Sequence, residues 1–372
     1  MLLKDIKYSY ADVAIVPAKI TEISSRSQCS PFYSNGMLPI FTAPMTSVIS
    51  TQNFNIFEDN HINAILPRSE ALSNRISYSI NGKWSAFSLK EFDDIFTNKD
   101  NISDANGKIK VLIDIANGHM LNMFELVRKS KEIFGDSIEI MIGNIANPET
   151  YETCYEYGVD YVRCSIGNGC GCITSSNVSV HYPMASLIDE IIKVKESIIR
   201  RGNIDINKLP KIIADGGIRN YSDVIKALAL GADYVMIGSL FSKMLESSAI
   251  TFYSDENGAI NRVNQFDDAN ILKINNKFFI EDEFGKRFKL MKLFYGMSSK
   301  RGQIDLHSEK IKTSEGIEKV FECEYTIQTW VSNIEDYIKS AMSYTNNRTL
   351  SDFKTKCKLI LCSKSAQDSI NK

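Results

Sequence analysis

The sequence lacks the features of membrane, secreted and nucleic-acid-binding proteins. No apolar run is long enough to cross a bilayer, and residues 1–7 carry charges too early for a signal peptide. The 43 basic and 45 acidic residues give a formal net charge of −2, whereas broad nucleic-acid binding requires a basic surface. We therefore expect a cytoplasmic protein with neither a membrane nor a nucleic acid as its partner.

Cysteine is present, but not in the pattern of a disulfide scaffold or a zinc site. Eight cysteines in 372 residues suit a reducing compartment. Cys164, Cys170 and Cys172 lack the paired C-x₂-C spacing and the nearby histidines that zinc sites use. With 44% hydrophobic and 24% charged residues, the chain has an ordinary globular composition. Its length suffices for one large α/β barrel or for two ordinary domains.

Eight short apolar segments rich in Val and Ile predict strands that are buried on both faces, as in a parallel sheet. They cover residues 38–43, 62–66, 84–89, 110–115, 138–142, 160–165, 211–214 and 233–237. Amphipathic segments at 120–134 and 220–230 predict helices between them. Eight β/α units match a (β/α)₈ barrel, with a doubly wound open sheet as the alternative. The third strand is the least distinct of the eight and decides between these folds.

We expect a single domain, 1–372, that elaborates this barrel. The barrel core covers about residues 38–250, and a mobile lid, a flap and a C-terminal helix cover about 251–353. The segment up to residue 31 shows no regular pattern. Residues 354–372 form a polar tail, which we expect to be frayed from about residue 363.

Within the lid, a polar and acidic insertion at 255–276 precedes two β-like segments. Residues 277–280 and 288–292 predict a hairpin that turns at Gly285. Apolar residues then recur near a spacing of 3.6 over 325–344, which predicts a terminal helix.

A glycine-rich turn, residues 166–174 (IGNGCGCIT), follows the sixth predicted strand. Its glycines let the backbone turn with positive φ and approach a ligand closely. A thiol on such a turn is placed for nucleophilic attack, although the same pattern fits a turn whose thiols are buried and inert. Gly216, Gly217, Gly238 and Ser239 follow strands seven and eight, where this fold usually grips phosphate with backbone N–H groups.

Together these motifs resemble the IMP dehydrogenase/GMP reductase family. Residues 167–174 (GNGCGCIT) are similar to the family's G-P-G-S-x-C-x-T, and 214–219 (ADGGIR) with 236–239 (MIGS) are similar to its phosphate-binding strand ends. The resemblance runs from about residue 10 to about residue 353. It implies a (β/α)₈ barrel, usually a homotetramer, that binds a purine nucleoside monophosphate and a nicotinamide cofactor.

Three features resemble the reductase branch more than the dehydrogenases. They are DIANG at 114–118, FYGMSS at 294–299, and the lack of an Arg-Tyr pair in 300–313, the dyad that activates water in dehydrogenases. No regulatory CBS-type insertion lies between strands two and four. The resemblance implies reductive deamination of GMP or dGMP to IMP and ammonia, with NADPH or NADH. The alternatives are an IMP dehydrogenase, which makes XMP with NAD, and a non-catalytic nucleotide-binding barrel.

The resemblance also assigns roles to individual residues. The catalytic set is the nucleophile Cys172, which forms a covalent thioimidate, with the proton relay Thr174 and Glu315. The implied substrate contacts are Asp215, Gly216, Gly217, Gly238, Ser239, Met297, Ser298 and Cys170. The implied cofactor contacts are Asp114, Ala116, Asn117, Gly118 and Asn144. A monovalent cation, potassium in this family, would bind the carbonyl oxygens of Gly167, Gly169 and Cys172.

Several positions depart from the family pattern. Cys170 replaces the phosphate-contacting serine, Asn168 replaces the loop proline, and Lys312 replaces a reductase arginine. Because these changes surround the nucleotide and cofactor ends of the pocket, the reaction type is better supported than the substrate. Two loop arginines, Arg26 and Arg68, are considered as contacts to a cofactor 2′-phosphate but receive no role, and His119 is predicted to be structural.

Overall fold

The computed structural model describes residues 5–102, 107–202, 204–266, 269–275, 277–306 and 310–370. Its strands are β1 (Val13–Val16), β2 (Ile40–Thr42), β3 (Ile65–Leu66), β4 (Trp84–Phe87), β5 (Ile109–Asp114), β6 (Ile138–Ile145), β7 (Tyr161–Cys164), β8 (Lys211–Asp215), β9 (Tyr234–Ile237), β10 (Ile250–Ser254), β11 (Ile260–Val263), β12 (Ile271–Ile274), β13 (Lys277–Glu281), β14 (Arg287–Lys289), β15 (Met291–Tyr295), β16 (Glu318–Glu322) and β17 (Lys358–Leu361). Its helices are α1 (Phe54–Asp59), α2 (Leu72–Ile80), α3 (Leu89–Phe96), α4 (Leu121–Phe134), α5 (Thr150–Glu156), α6 (Thr174–Asn177), α7 (Met184–Arg201), α8 (Tyr221–Ala229), α9 (Ser239–Ser242), α10 (Lys300–Asp305), α11 (Ile327–Tyr344), α12 (Leu350–Lys356) and α13 (Lys364–Ile370).

Strands β2 to β9 form one parallel sheet in the order β2-β9-β8-β7-β6-β5-β4-β3. The two end strands meet through Asn63, whose N–H donates to Ile40 O at 3.0 Å and whose carbonyl accepts the Thr42 N–H at 2.9 Å. All eight predicted strands are therefore present. The least distinct one, β4, pairs with both β3 and β5, so the sheet curls into a (β/α)₈ barrel rather than a doubly wound open sheet.

The barrel interior is filled by large side chains from alternate positions of the strands, as this fold requires. Phe41 and Trp84 pack edge to face with ring centroids 6.1 Å apart. The buried interior cluster comprises Phe41, Ala43, Ile65, Trp84, Ala86, Leu112, Met141, Ile213 and Met236. These side chains fill the barrel interior, and a cavity opens at the carboxyl ends of the strands.

The helices cover the outer face of the barrel with their apolar sides, as the sequence periodicity predicts. In α4 the buried residues include Met123, Leu126 and Val127. In α11 the predicted stripe is buried except for Tyr337, which is exposed and packs against Tyr221 at 5.1 Å between ring centroids. Among the helices of the described residues, none combines the length and the apolarity needed to cross a bilayer.

The segment after β9 forms two small antiparallel sheets. One has the order β11-β10-β15-β16 and the other β12-β13-β14. The predicted hairpin is confirmed as β13 and β14, with Gly285 at φ 78° in its turn. Strands β11 and β12 lie in the polar insertion 255–276, where hydrophilic exposed residues conceal the strand pattern from the sequence. We use the name flap for β10 to β16 and their loops.

Both chain ends are more ordered than the sequence suggests. Strand β1 lies in the N-terminal segment predicted to be irregular, and it pairs antiparallel with β17, with Val13 opposite Leu361. Strand β17 lies within the predicted polar tail, and the prediction that the chain is frayed from about residue 363 was wrong for α13. Each of these two strands has only four residues, and the pairing partner lies more than 300 residues away, so local pattern alone does not reveal either strand.

Candidate active site

The carboxyl ends of the barrel strands open into a cavity of about 770 Å³, a size typical of small-molecule sites. The predicted site residues that line it are Asp114, Ala116, Asn117, Asn144, Gly167, Gly169, Cys170, Cys172, Thr174, Asp215, Gly216, Gly217, Gly238, Ser239, Met297, Ser298 and Glu315. Gly118 lies behind the wall, where its N–H donates to Asn144 O at 2.7 Å. A side chain on Gly118 would collide with that backbone, so its role is to allow close packing.

Cys172, Thr174 and Glu315 form one hydrogen-bonded chain. The Cys172 thiol donates to Thr174 Oγ1 across 3.2 Å, and the Thr174 hydroxyl donates to Glu315 Oε2 across 2.8 Å. Cys172 is partly exposed to the cavity. Cys154 and Cys164, by contrast, are fully buried, and burial raises the pKa of both thiols. The nucleophile predicted from the sequence is therefore accessible, whereas these two thiols are inert.

The cysteine loop is attached to the flap by backbone contacts. The Ile173 N–H donates to Glu315 O at 2.9 Å, and the Ile317 N–H donates to Gly171 O at 3.0 Å. A Cβ added to Gly296 would lie 2.6 Å from Gly171 O, so only glycine permits this approach. The loop, the segment around Met297 and the Glu315 segment thus form a single unit that fixes the geometry of the hydrogen-bonded chain.

Asn168, which stands where the family has proline, ties the cysteine loop to its surroundings. Its side-chain amide donates to Ser165 Oγ at 3.1 Å and to Tyr182 O at 3.0 Å. Its backbone carbonyl accepts the Gly217 N–H at 3.0 Å. The backbone of Gly216 also lies close to the cysteine loop, because a Cβ added to Gly216 would be 3.3 Å from Gly169 N. The predicted phosphate loop and the cysteine loop are therefore in direct contact.

Arg163, a residue that the sequence analysis did not select, organises the floor of the cavity. Its side chain is 8% exposed and bonds to Asp114 Oδ1 at 2.6 Å and to Asp215 Oδ2 at 2.9 Å. Asn144 Nδ2 donates to the same Asp215 oxygen at 2.7 Å. Burial alone would lower the pKa of Arg163, but the two carboxylates outweigh it and raise that pKa. The sequence feature that could have identified Arg163 is its position as a charged residue inside the otherwise apolar strand β7.

The two arginines that received no role differ in position. Arg68 lines the cavity and donates to Asp114 O at 3.2 Å, while its buried Nε has no partner among the described residues. Arg26 instead pairs with Asp336 on the surface. The structure therefore makes Arg68 available to an anionic or carbonyl group of a ligand and excludes Arg26 from this site.

His119 also lines the cavity, but both of its ring nitrogens have partners. Nε2 accepts the Ala146 N–H at 3.0 Å, and Nδ1 lies 3.0 Å from Thr150 Oγ1. Burial lowers the pKa of the imidazole, which favours its neutral form. These contacts agree with a structural histidine.

No cluster of three or more His, Cys, Asp or Glu side chains suited to a metal ion occurs in the part of the chain that the structure describes. The predicted monovalent cation would bind backbone carbonyl oxygens rather than side chains. One of these, Gly169 O, accepts the Cys172 N–H at 3.0 Å. The cation remains a prediction.

Comparison with known proteins finds a family model and several relatives to which this sequence is similar. Residues 88–263 match the family model described as IMP dehydrogenase / GMP reductase domain. The chain is 28% identical over 247 residues to GMP reductase of Chromobacterium violaceum, covering 64% of this chain and 73% of the relative. It is 28% identical over 308 residues to GMP reductase of Caenorhabditis elegans, covering 78% and 74%. It is 37% identical over 133 residues to inosine-5′-monophosphate dehydrogenase of Methanocaldococcus jannaschii, covering 36% and 25%.

The matched domain contains the cysteine loop, both predicted phosphate-binding strand ends and Arg163, and the barrel places these elements around one cavity. Over residues 88–263, the chain therefore matches the IMP dehydrogenase / GMP reductase domain, and over a longer range it is similar to GMP reductases.

Proposed function

We propose that the protein catalyses the reductive deamination of GMP, or of dGMP, to IMP and ammonia with NADPH. The observation that carries this proposal is the continuous hydrogen-bonded chain from Cys172 through Thr174 to Glu315. A nucleophile and a carboxylate joined by one hydroxyl allow a proton to leave the thiol and to return to a leaving group.

In the first half-reaction, the Cys172 sulfur bonds to C2 of the purine. Its proton passes through Thr174 to Glu315 and then back through Thr174 to the 2-amino group. The C2–N bond breaks, ammonia leaves, and the base remains as a thioimidate on Cys172. The thiol proton and the amino group account for the three hydrogens of ammonia, so this half-reaction consumes no other proton.

In the second half-reaction, C2 gains a hydride, the C2–S bond breaks, and Cys172 leaves as a thiolate that takes a proton from solvent. A bound reduced nicotinamide would supply the two electrons as that hydride. The lining fits such a group, because it contains both the polar side chains of Asp114 and Asn117 and the apolar side chains of Val178 and Val180. A flat ring with a carboxamide needs both kinds of contact.

The remaining residues would orient the nucleotide. Gly216 and Gly217 would offer backbone N–H groups to the 5′-phosphate, with Gly238 and Ser239 on the neighbouring loop. Asp215 is held in place by Arg163 at the floor of the cavity and would accept hydrogen bonds from the ribose. Met297 and Ser298 would contact the base.

IMP dehydrogenase is the second candidate, because relatives of that name are also similar to this chain. The reductase is preferred because residues 300–313 contain no Arg-Tyr pair that could activate a hydrolytic water. A nucleotide-binding barrel without activity is the third reading, and the intact Cys172, Thr174 and Glu315 chain argues against it.

The test is to incubate the purified protein with GMP and NADPH and to follow the loss of reduced-nicotinamide absorbance together with ammonia release. We expect one ammonia for each NADPH oxidised. Cys172→Ser should abolish turnover and retain nucleotide binding, whereas Cys362→Ser, at a cysteine remote from the cavity, should keep the wild-type rate. NADH production from IMP without turnover of GMP or dGMP would instead assign a dehydrogenase, and turnover by Cys172→Ser would refute the covalent route.

A further inference from the structure

Lys319, on strand β16 of the flap, points at the mouth of the cavity. Its ammonium lies 3.4 Å from the Sγ of Cys170, an exposed residue that lines the cavity. The backbone partner of Lys319 in the sheet is Phe294, which lines the same cavity. Two other flap lysines, Lys277 and Lys289, both pair with the carboxylate of Glu322. None of the described carboxylates forms an ion pair with Lys319.

The charges of the cavity lining disfavour an anionic ligand. The charged residues among the lining are Arg68, Arg163, Asp114, Asp215 and Glu315, so its formal net charge is one negative. The charge of Arg163 is already engaged by two carboxylates. A phosphate monoester carries about −1.5 to −2 charges at neutral pH. Binding a nucleoside monophosphate here therefore calls for a further cation near its phosphate.

Lys319 lies on the side of the cavity where that phosphate is expected. The loop at Gly216 and Gly217 contacts Asn168 and Gly169, and Cys170 is the next residue along the chain. The thiol of Cys170 is a weak hydrogen-bond donor and offers an anion little. The adjacent ammonium of Lys319 offers three strong donors and a full charge.

We propose that Lys319 binds the 5′-phosphate of the substrate. This inference rests on the proposed function, since it takes a purine nucleoside monophosphate as the ligand. Because the thiol of Cys170 is a weak donor, the ammonium of Lys319 on the flap would provide the contact that recognises the anion. Because the flap also carries Met297 and Glu315, phosphate binding by Lys319 would favour the arrangement in which the flap closes the site.

The test measures GMP affinity by calorimetry for the full-length wild type and for Lys319→Gln, Lys319→Arg and the control Lys289→Gln. Loss of one charge-assisted contact should weaken GMP binding about tenfold in Lys319→Gln. Lys319→Arg, which keeps the charge, and Lys289→Gln should bind like the wild type. Raising the salt concentration should weaken GMP binding less in Lys319→Gln than in the wild type, because a screened attraction is missing.

The outcomes separate the two proposals. If the wild type binds GMP and Lys319→Gln binds it equally well, the inference about Lys319 is overturned and the proposed function stands. Equal losses in the Gln and Arg variants, or in Lys289→Gln, would also overturn it, because they would indicate a structural or general charge effect. If the wild type binds no purine nucleoside monophosphate at all, the proposed function itself is refuted.

Discussion

Gly171 and Gly296 pack backbone against backbone, so closely that a Cβ on Gly296 would lie 2.6 Å from Gly171 O. This contact joins the cysteine loop to the flap that carries Glu315. The hydrogen-bonded chain between Cys172 and Glu315 therefore depends on the flap being seated on the barrel. A site assembled in this way is sensitive to displacements far smaller than a side chain.

Gly296→Ala should separate the cysteine loop from the flap. Because a misplacement near 1 Å can cost about a hundredfold in rate, we expect turnover of GMP to fall by about that factor. The free energy of unfolding of the barrel should fall by much less than the activation free energy of turnover rises. Gly36→Ala is the control for turnover, because a Cβ there meets nothing within 4 Å and, at φ 78°, strains only its own exposed turn, far from the cavity. Wild-type turnover by Gly296→Ala would show that the contact does not position the nucleophile.

Thr174→Val should break the proton relay while keeping the shape of the side chain. Positioned proton transfer typically contributes about 10²–10⁴-fold, so ammonia release in a single turnover should slow by a factor in that range. Thr355→Val is the matched control, because the Thr355 hydroxyl bonds only within its own exposed helix. A wild-type rate of ammonia release in Thr174→Val would mean that the leaving amino group obtains its proton elsewhere.

The sequence predicts the barrel well because each strand is a local apolar run that needs no distant partner to be recognised. The resemblance to a known family also selects Cys172, Thr174 and Glu315, and the fold brings these three residues together. Strands β1 and β17 could not be predicted from local sequence. Each is stabilised as a strand by pairing with the other, which lies at the opposite end of the chain. The contact of Lys319 with Cys170 escapes prediction for the same reason, because the two residues are 149 positions apart.

Arg163→Met should destabilise the barrel as well as the site. It leaves Asp114 and Asp215 without the cation that joins them, and removing one partner from a buried ion network costs about 3–5 kcal/mol. The free energy of unfolding in urea should fall by about that amount. Arg26→Met, at an exposed pair with Asp336, should change it by no more than about 1 kcal/mol. Similar small changes in both variants would contradict the role assigned to Arg163.

Lys292 should make the stability of the protein depend on alkaline pH. The side chain, on strand β15 of the flap, is fully buried, with Nζ 2.8 Å from Leu245 O, and burial lowers its pKa to about 8. Between this value and the unfolded value of 10.5, the unfolded chain binds more protons than the folded one. The free energy of unfolding therefore gains a contribution from Lys292 as the pH rises through that window.

The measurement is the free energy of unfolding of the wild type minus that of Lys292→Met. This difference should rise in favour of the wild type by an amount on the order of 3 kcal/mol between pH 8 and 10.5. Comparing the two proteins cancels the other groups that titrate in the same range. A difference that does not change with pH would show that Lys292 is not held in a desolvated site.

The chemistry at C2 of the purine is the central claim, and the fate of the hydride tests it most directly. The protein is incubated with GMP and with NADPH that carries deuterium at the transferable position, and the mass of the nucleotide product is measured by mass spectrometry. We expect IMP with deuterium at C2 and one equivalent of ammonia. IMP without deuterium, or XMP as the nucleotide product, would contradict the reductive route through Cys172.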